Sequence, residues 1–258
     1  MHVHNRPPPF HLRRRTRRMA VSFALFTVAG VCFLILFLMV LARSAPAWWR
    51  TVNREDPAII ALGQRVENEI VNRLYKNRAD NPAPAERPWR SEPWTIELRT
   101  TEANAWLSSR LPKWLANQKD NFRWPKDVSG VQVEFERSRI RVGAKVSAGS
   151  RDQVLSATLE PRLESDGRLF MPATSFNLGR LAIPADWVLD HAQKNAAQYI
   201  PRDLRTLPET QDLIAAFAGA QPARSSTLIN LGDGRSVRIL SLDSLDGKLR
   251  ITCQTEME

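Results

Sequence analysis

The chain holds four histidines, His2, His4, His11 and His191. Three sit in the N-terminal tail, so His191 stands alone in everything that follows. A Ser–His–Asp or Cys–His triad would have to use it, and no nucleophile-elbow sequence is there as a partner. Asp186, Asp190 and His191 come nearest to a cation site. Asp186 and Asp190 share one helical face, however, and His191 is rotated away from it. With no second histidine and no paired cysteines nearby, the set does not amount to zinc ligation. Carboxylate pairs are the other route to catalysis. Glu134 and Glu136 project to one side of a strand, as a glycosidase acid and base would, and Glu160 and Glu164 repeat the parity. The simpler expectation is that all four face water opposite an apolar set. Gly232-Asp233-Gly234 lacks the Gly-Lys-Ser/Thr and helix of a phosphate loop and reads as a hairpin turn. No catalytic, cofactor-binding or metal-ligating residue is nominated.

What must position any site begins with Arg13, Arg14, Arg15, Arg17 and Arg18, followed by 24 uncharged residues from Met19 to Ala42. At 1.5 Å per residue that run crosses a hydrocarbon layer about 30 Å thick. It exceeds the 7–15 residues of a secretory signal core, so a retained anchor is expected. Arginines stay on the cytoplasmic side, which predicts a cytoplasmic tail (1–18), a span (19–42) and an extracytoplasmic remainder, periplasmic where the cell has an outer membrane. Trp48 and Trp49 follow the span, where indole rings favour the lipid–water interface. The formal charge is +10, but six arginines lie in the tail and the basic excess beyond it is only four. Such a distribution suits anionic lipid and argues against nucleic acid as a partner.

Residues 43–76 read as a juxtamembrane segment and an amphipathic helix capped by Asp56, with Ile59, Leu62, Val66, Ile70 and Leu74 on one stripe. Residues 77–93, with four prolines, read as a linker or extended strap. Residues 94–258 form the expected extracytoplasmic domain. Trp94–Arg99 alternates as a strand, and a helix starts at Thr100 or Thr101 and is bent or ended by Pro112. Val131, Val133 and Phe135, then Ile140, Val142, Ala144 and Val146, then Leu155, Ala157 and Leu159, alternate with polar residues between short turns. This is the pattern of an antiparallel meander with one buried face. Helices are expected from Pro184 to about Tyr199 and from the capping box at Thr206 to Gly219. Strands around Ser226–Leu231, Val237–Leu242 and Leu249–Cys253 complete the chain. The fold class is α+β: one transmembrane helix, then an antiparallel meander packed on amphipathic helices.

The segment Thr100-Thr101-Glu102-Ala103-Asn104-Ala105-Trp106-Leu107 resembles a helix start of YpmS-like single-span anchored bacterial proteins. So do Asp166-Gly167-Arg168-Leu169 and Leu178-Gly179-Arg180-Leu181-Ala182-Ile183-Pro184. The resemblance covers Trp94 to Tyr199 and implies an extracytoplasmic domain of tubular lipid-binding or helix-grip type. A sheet curling incompletely around a helix would leave an apolar groove, with Val133, Phe135, Ile140 and Val142 as its expected lining. The function expected is an anchored binding protein for a lipid-like ligand or envelope component, without enzymatic activity. A structural or assembly subunit of a membrane complex, and a carboxylate-dependent hydrolase, are the alternatives.

Overall fold

The structure, a computed structural model, describes residues 10–76, 89–118, 124, 126–148, 151–190 and 208–257. The arginine cluster and the apolar run form one helix, α1 (Phe10–Arg43). Its stretch Phe26–Arg43 is long and apolar enough to cross a membrane, and none of it is buried against the chain. Helix α2 (Pro57–Tyr75) begins where Asp56 accepts the Ala58 N–H at 2.9 Å, with Pro57 in the first turn.

Two antiparallel sheets follow. One combines β1 (Trp89–Arg90) and β2 (Trp94–Arg99), both paired to β12 (Lys248–Met257), with β11 (Arg235–Leu245) and β10 (Leu228–Asn230) beyond. Its pairing of Trp89 with Met257 lies inside the stretch expected as a proline-rich strap. The sheet therefore begins five residues before the expected boundary at 94. A backbone register with β12 continues across Ser91, whose N–H bonds Thr255 O at 2.9 Å. The other sheet is the expected meander, in the order β3 (Val128–Glu136), β4 (Arg139–Ala148), β5 (Arg151–Leu159), β8 (Ala173–Leu178) and β9 (Leu181–Pro184). The hairpin β6 (Arg162–Leu163) and β7 (Leu169–Phe170) lies between β5 and β8. The expected third helix is helical at 185–190, and its remainder, with His191, falls outside the described residues. The last helix is α5 (Pro208–Phe217), ended at Gly219 with φ +70°. Pro112 divides the predicted second helix into α3 (Thr100–Ser109) and α4 (Leu111–Gln118).

The sheets join at their turns. Gly247 N–H donates to Phe135 O at 2.9 Å, Ser138 N–H to Ser244 O at 2.8 Å, and the Ser244 hydroxyl to Arg139 O at 2.7 Å. Helix α3 is stapled to the open edge of β3. Asn104 Nδ2 donates to Val133 O at 2.9 Å while its Oδ1 accepts Val133 N–H at 2.7 Å. Thr100 Oγ1 accepts Phe135 N–H at 3.3 Å, and the Glu102 carboxylate accepts Arg99 N–H at 2.8 Å. An edge strand is thus covered by side chains of the helix rather than left to pair with another chain. Helix α2 crosses α3 at Gly63, where a Cβ would stand 2.9 Å from Ala105 O. The pair of helices is tied by Arg110 and Glu67, whose second contact is 3.0 Å.

Candidate functional site

The four residues expected to line an apolar groove do meet, but as a filled core. Phe135 and Ile140 are buried with Ala103 of α3 and Leu249 of β12, and Val133, Val142, Met171 and Leu242 pack around them. Phe135 is 4% exposed. No cavity described below is lined by any of the four.

The opposite face of the meander carries the unexpected arrangement. Along β3, β4, β5 and β8 it presents Gln132, Gly143, Ser156 and Asn177 in one row and Glu134, Arg141, Thr158 and Ser175 in the next. These positions alternate with the apolar set, and Glu134 among them was expected to face water. Gln132, Ser156 and Thr158 are buried. The cover is the segment after α1. The amide of Gln132 pairs with the backbone of Arg50 in both directions, accepting N–H at 3.0 Å and donating to O at 2.6 Å. Trp48 and Trp49, edge-on to each other with centroids 5.7 Å apart, lie against Gly143. A Cβ there would stand 2.8 Å from Trp48 and 3.1 Å from Trp49. A glycine in mid-strand marks such a close approach and was the one sequence signal for this cover.

The end of α1 is joined to the same sheet. Arg180 N–H donates to Leu41 O at 2.9 Å, a carbonyl of the helix's last turn that also accepts Ser44 N–H at 3.3 Å, and its Nε donates to Ala45 O at 3.0 Å. Gly179, at φ +60°, stands against the carbonyls of Ala42 and Ser44. A cleft of about 460 Å³ opens beside this junction between Trp48, Arg141, Thr158, Asn177, Arg180 and Ala182. The arginine cluster Arg13, Arg14, Arg15, Arg17 and Arg18 lies in the first turns of α1, at the far end of the helix.

The carboxylates are mostly held by cations. Glu136 pairs with Arg141 at 3.0 Å, Glu160 with Arg139 at 3.1 Å, and Glu164 with Arg168 at 2.7 Å. Glu134 is different. Burial under the covering segment, reinforced by the neighbouring Glu136, pushes its carboxyl above the usual range, while Arg50 and Arg141 oppose the shift. A carboxyl raised in the folded state favours folding while protonated and loses that contribution as pH rises through its folded value. Glu134→Gln is therefore expected to raise the melting temperature at pH 7. The gain should shrink as pH falls through the raised folded value towards the ordinary glutamate range, which thermal melts of the detergent-solubilised chain between pH 3.5 and 8 will read. An equal gain at every pH would refute the assignment. Among the described residues no three His, Cys, Asp or Glu side chains come together as a metal site. Asp186 and Asp190 are exposed on the helical turn at 185–190. Comparison with family models, curated proteins and solved structures finds no match to this chain.

Proposed function

We propose that this chain is a single-span, membrane-anchored binding protein, with its N-terminal tail in the cytoplasm and its α+β domain on the other side. The domain recognises a lipid-like ligand or an envelope component at the membrane surface and performs no chemistry of its own. The observation that carries this reading is the junction. Arg180 bonds the backbone of both Leu41 and Ala45, so the domain is built onto the end of the apolar helix rather than tethered by a loose linker. A rigid joint holds one face of the domain at a set height above the bilayer, which a tethered catalyst does not need. The resemblance to YpmS-like anchored proteins points the same way. The filled core around Phe135 favours recognition on the surface, in the cleft beside Ala182, over an internal acyl groove.

A photo-crosslinking residue at Ala182 tests this in intact membranes. A discrete adduct with lipid or one envelope protein is expected, together with labelling of Lys126→Cys by an impermeant maleimide from the non-cytoplasmic side. Absence of any adduct, or labelling only after the membrane is breached, would sink the proposal. The unburied span favours a second reading, an assembly subunit that uses α1 as its interface. Exchange of Met19–Ala42 for an unrelated span would then abolish the adduct.

A further inference from the structure

The segment that covers the meander leaves a second, smaller cavity of about 140 Å³ where it passes β3 and the end of α3. It sits at the irregularity between Val128 and Gly130, where β3 slips its register against β4. Such bulges re-aim side chains and open space beside a strand. Arg54, Ser108, Ser129, Gly130 and Lys145 are among its walls. No carboxylate is among the described residues that line it.

Arg54 is the decisive residue. Its guanidinium lies over the ring of Trp124, 5.9 Å from the centroid, and its Nη2 is buried with no protein acceptor. A Cβ on Gly130 would stand 3.8 Å from that nitrogen, so the small residue keeps the space beside it open. Arg238, packed against the other sheet, has Glu256 at 2.8 Å. Arg54 has an aromatic face instead, which holds the cation without neutralising it. Ser108, 7% exposed, lines the same cavity. Lys145 adds a second cation, shared with Asp152 at 2.7 Å. A buried guanidinium nitrogen without an acceptor, with a serine hydroxyl beside it and no acid group among the described lining residues, matches an oxyanion.

We propose that this cavity binds a single phosphoryl group, with Arg54 and Ser108 as its donors and Lys145 alongside. Guanidinium suits phosphate oxygens because it offers several N–H donors in one plane. The volume agrees with one such group, against about 30 Å³ for a water and at least about 300 Å³ for a whole drug-sized ligand. The phosphoryl group therefore arrives either as a free ion or as the head of a larger molecule whose remainder lies outside. The sheet places the site near the span. Gly179, against which α1 ends, donates to Val154 O at 2.8 Å, and Val154 pairs with Lys145, which pairs with Gly130. Three strand spacings separate the two, about 14 Å, within reach of a phospholipid head. The cavity stands on its own geometry, and only the lipid source rests on the anchored reading.

The test uses the delipidated full chain in neutral detergent. Inorganic phosphate is titrated against chloride at equal ionic strength, and separately phosphatidylglycerol against diacylglycerol in mixed micelles. Binding is read by thermal shift and by native mass spectrometry. Saturable binding of phosphate or of phosphatidylglycerol is expected, weakened at least tenfold by Arg54→Gln and severalfold by Ser108→Ala, and unchanged by Arg137→Gln on a distant turn. Phosphate binding assigns the free ion; phosphatidylglycerol binding without it assigns the lipid head. If Arg54→Gln fails to fold, Arg54→Lys and Ser108→Ala carry the comparison. The proposal is overturned if neither ligand saturates the wild type, if diacylglycerol binds as well as phosphatidylglycerol, or if the cavity variants bind as the wild type does.

Discussion

Replacing Phe135 by alanine is expected to lower the unfolding free energy by about 3–5 kcal/mol, the usual loss for a buried aromatic in a close-packed core. Phe135 sits where three elements converge, between Ala103 of α3, Ile140 of β4 and Leu249 of β12. Its backbone is used as fully as its ring, because Phe135 N–H goes to Thr100 and Phe135 O accepts from Gly247. The neighbours therefore cannot collapse into the vacated volume without breaking the joint between the two sheets. Against a typical total stability of about 5–15 kcal/mol this is a large fraction, and the melting temperature should fall by on the order of 10 °C. Urea unfolding of the solubilised chain, followed by near-UV circular dichroism, measures it. The same experiment separates a core from a groove. A side chain lining an open acyl groove would lose much less on truncation, and a cost under about 1 kcal/mol would restore the groove reading.

The second large effect is expected at Gly179. Alanine there must adopt φ +60°, which costs about 1 kcal/mol on its own. The added Cβ also meets the backbone carbonyls of Ala42 and Ser44, which have no rotamer to give way. The end of α1 must move, and the bonds from Arg180 to Leu41 and Ala45 go with it, each contributing about 0.5–1.5 kcal/mol. A combined loss of about 2–4 kcal/mol follows, concentrated at the junction. Gly232→Ala is the matched control, since φ is +78° there and nothing lies within 4 Å of the added atom. Limited proteolysis should cut the segment 44–55 far faster in Gly179→Ala than in Gly232→Ala, while both keep the strand signal. Equal cleavage would mean that the span is tethered rather than docked, and the proposed function would lose its main support.

Much of this fold was legible from local pattern. Period-two alternation in Val131–Phe135 and Ile140–Val146 reads directly as strands, because side chains on a strand alternate between faces whatever covers them. Cys253, at the end of the strand expected over Leu249–Cys253, is buried at 2%. Asp56-Pro57 and Thr100 with Glu102 announced helix starts through the chemistry of unpaired N–H groups. The first two residues of the sheet, Trp89 and Arg90, were not legible among the prolines around them, since only their distant partners Met257 and Glu256 make them strand.

The candidate site was far less legible. Glu134 and Gln132 look alike in the sequence, two polar residues on the outward face of one strand. What distinguishes them is the segment that lies over both. Gln132 spends its amide on Arg50, 82 residues earlier, and Glu134 is left partly desolvated beneath the same segment. Arg54 read as one more basic residue among many, and only its place against Trp124 makes it a cation without a carboxylate.

The sequence by itself determined where this chain is apolar for long enough to span a bilayer, where it alternates, and where it must turn. Each of those follows from residues within a few positions of one another. Only the tertiary structure decided that the meander's polar face is covered, that its apolar face closes as a core, and that the helix ends on Gly179. Those outcomes depend on which distant surface each face meets, and the periodicity of a strand is the same whether its outer row meets water or its own chain.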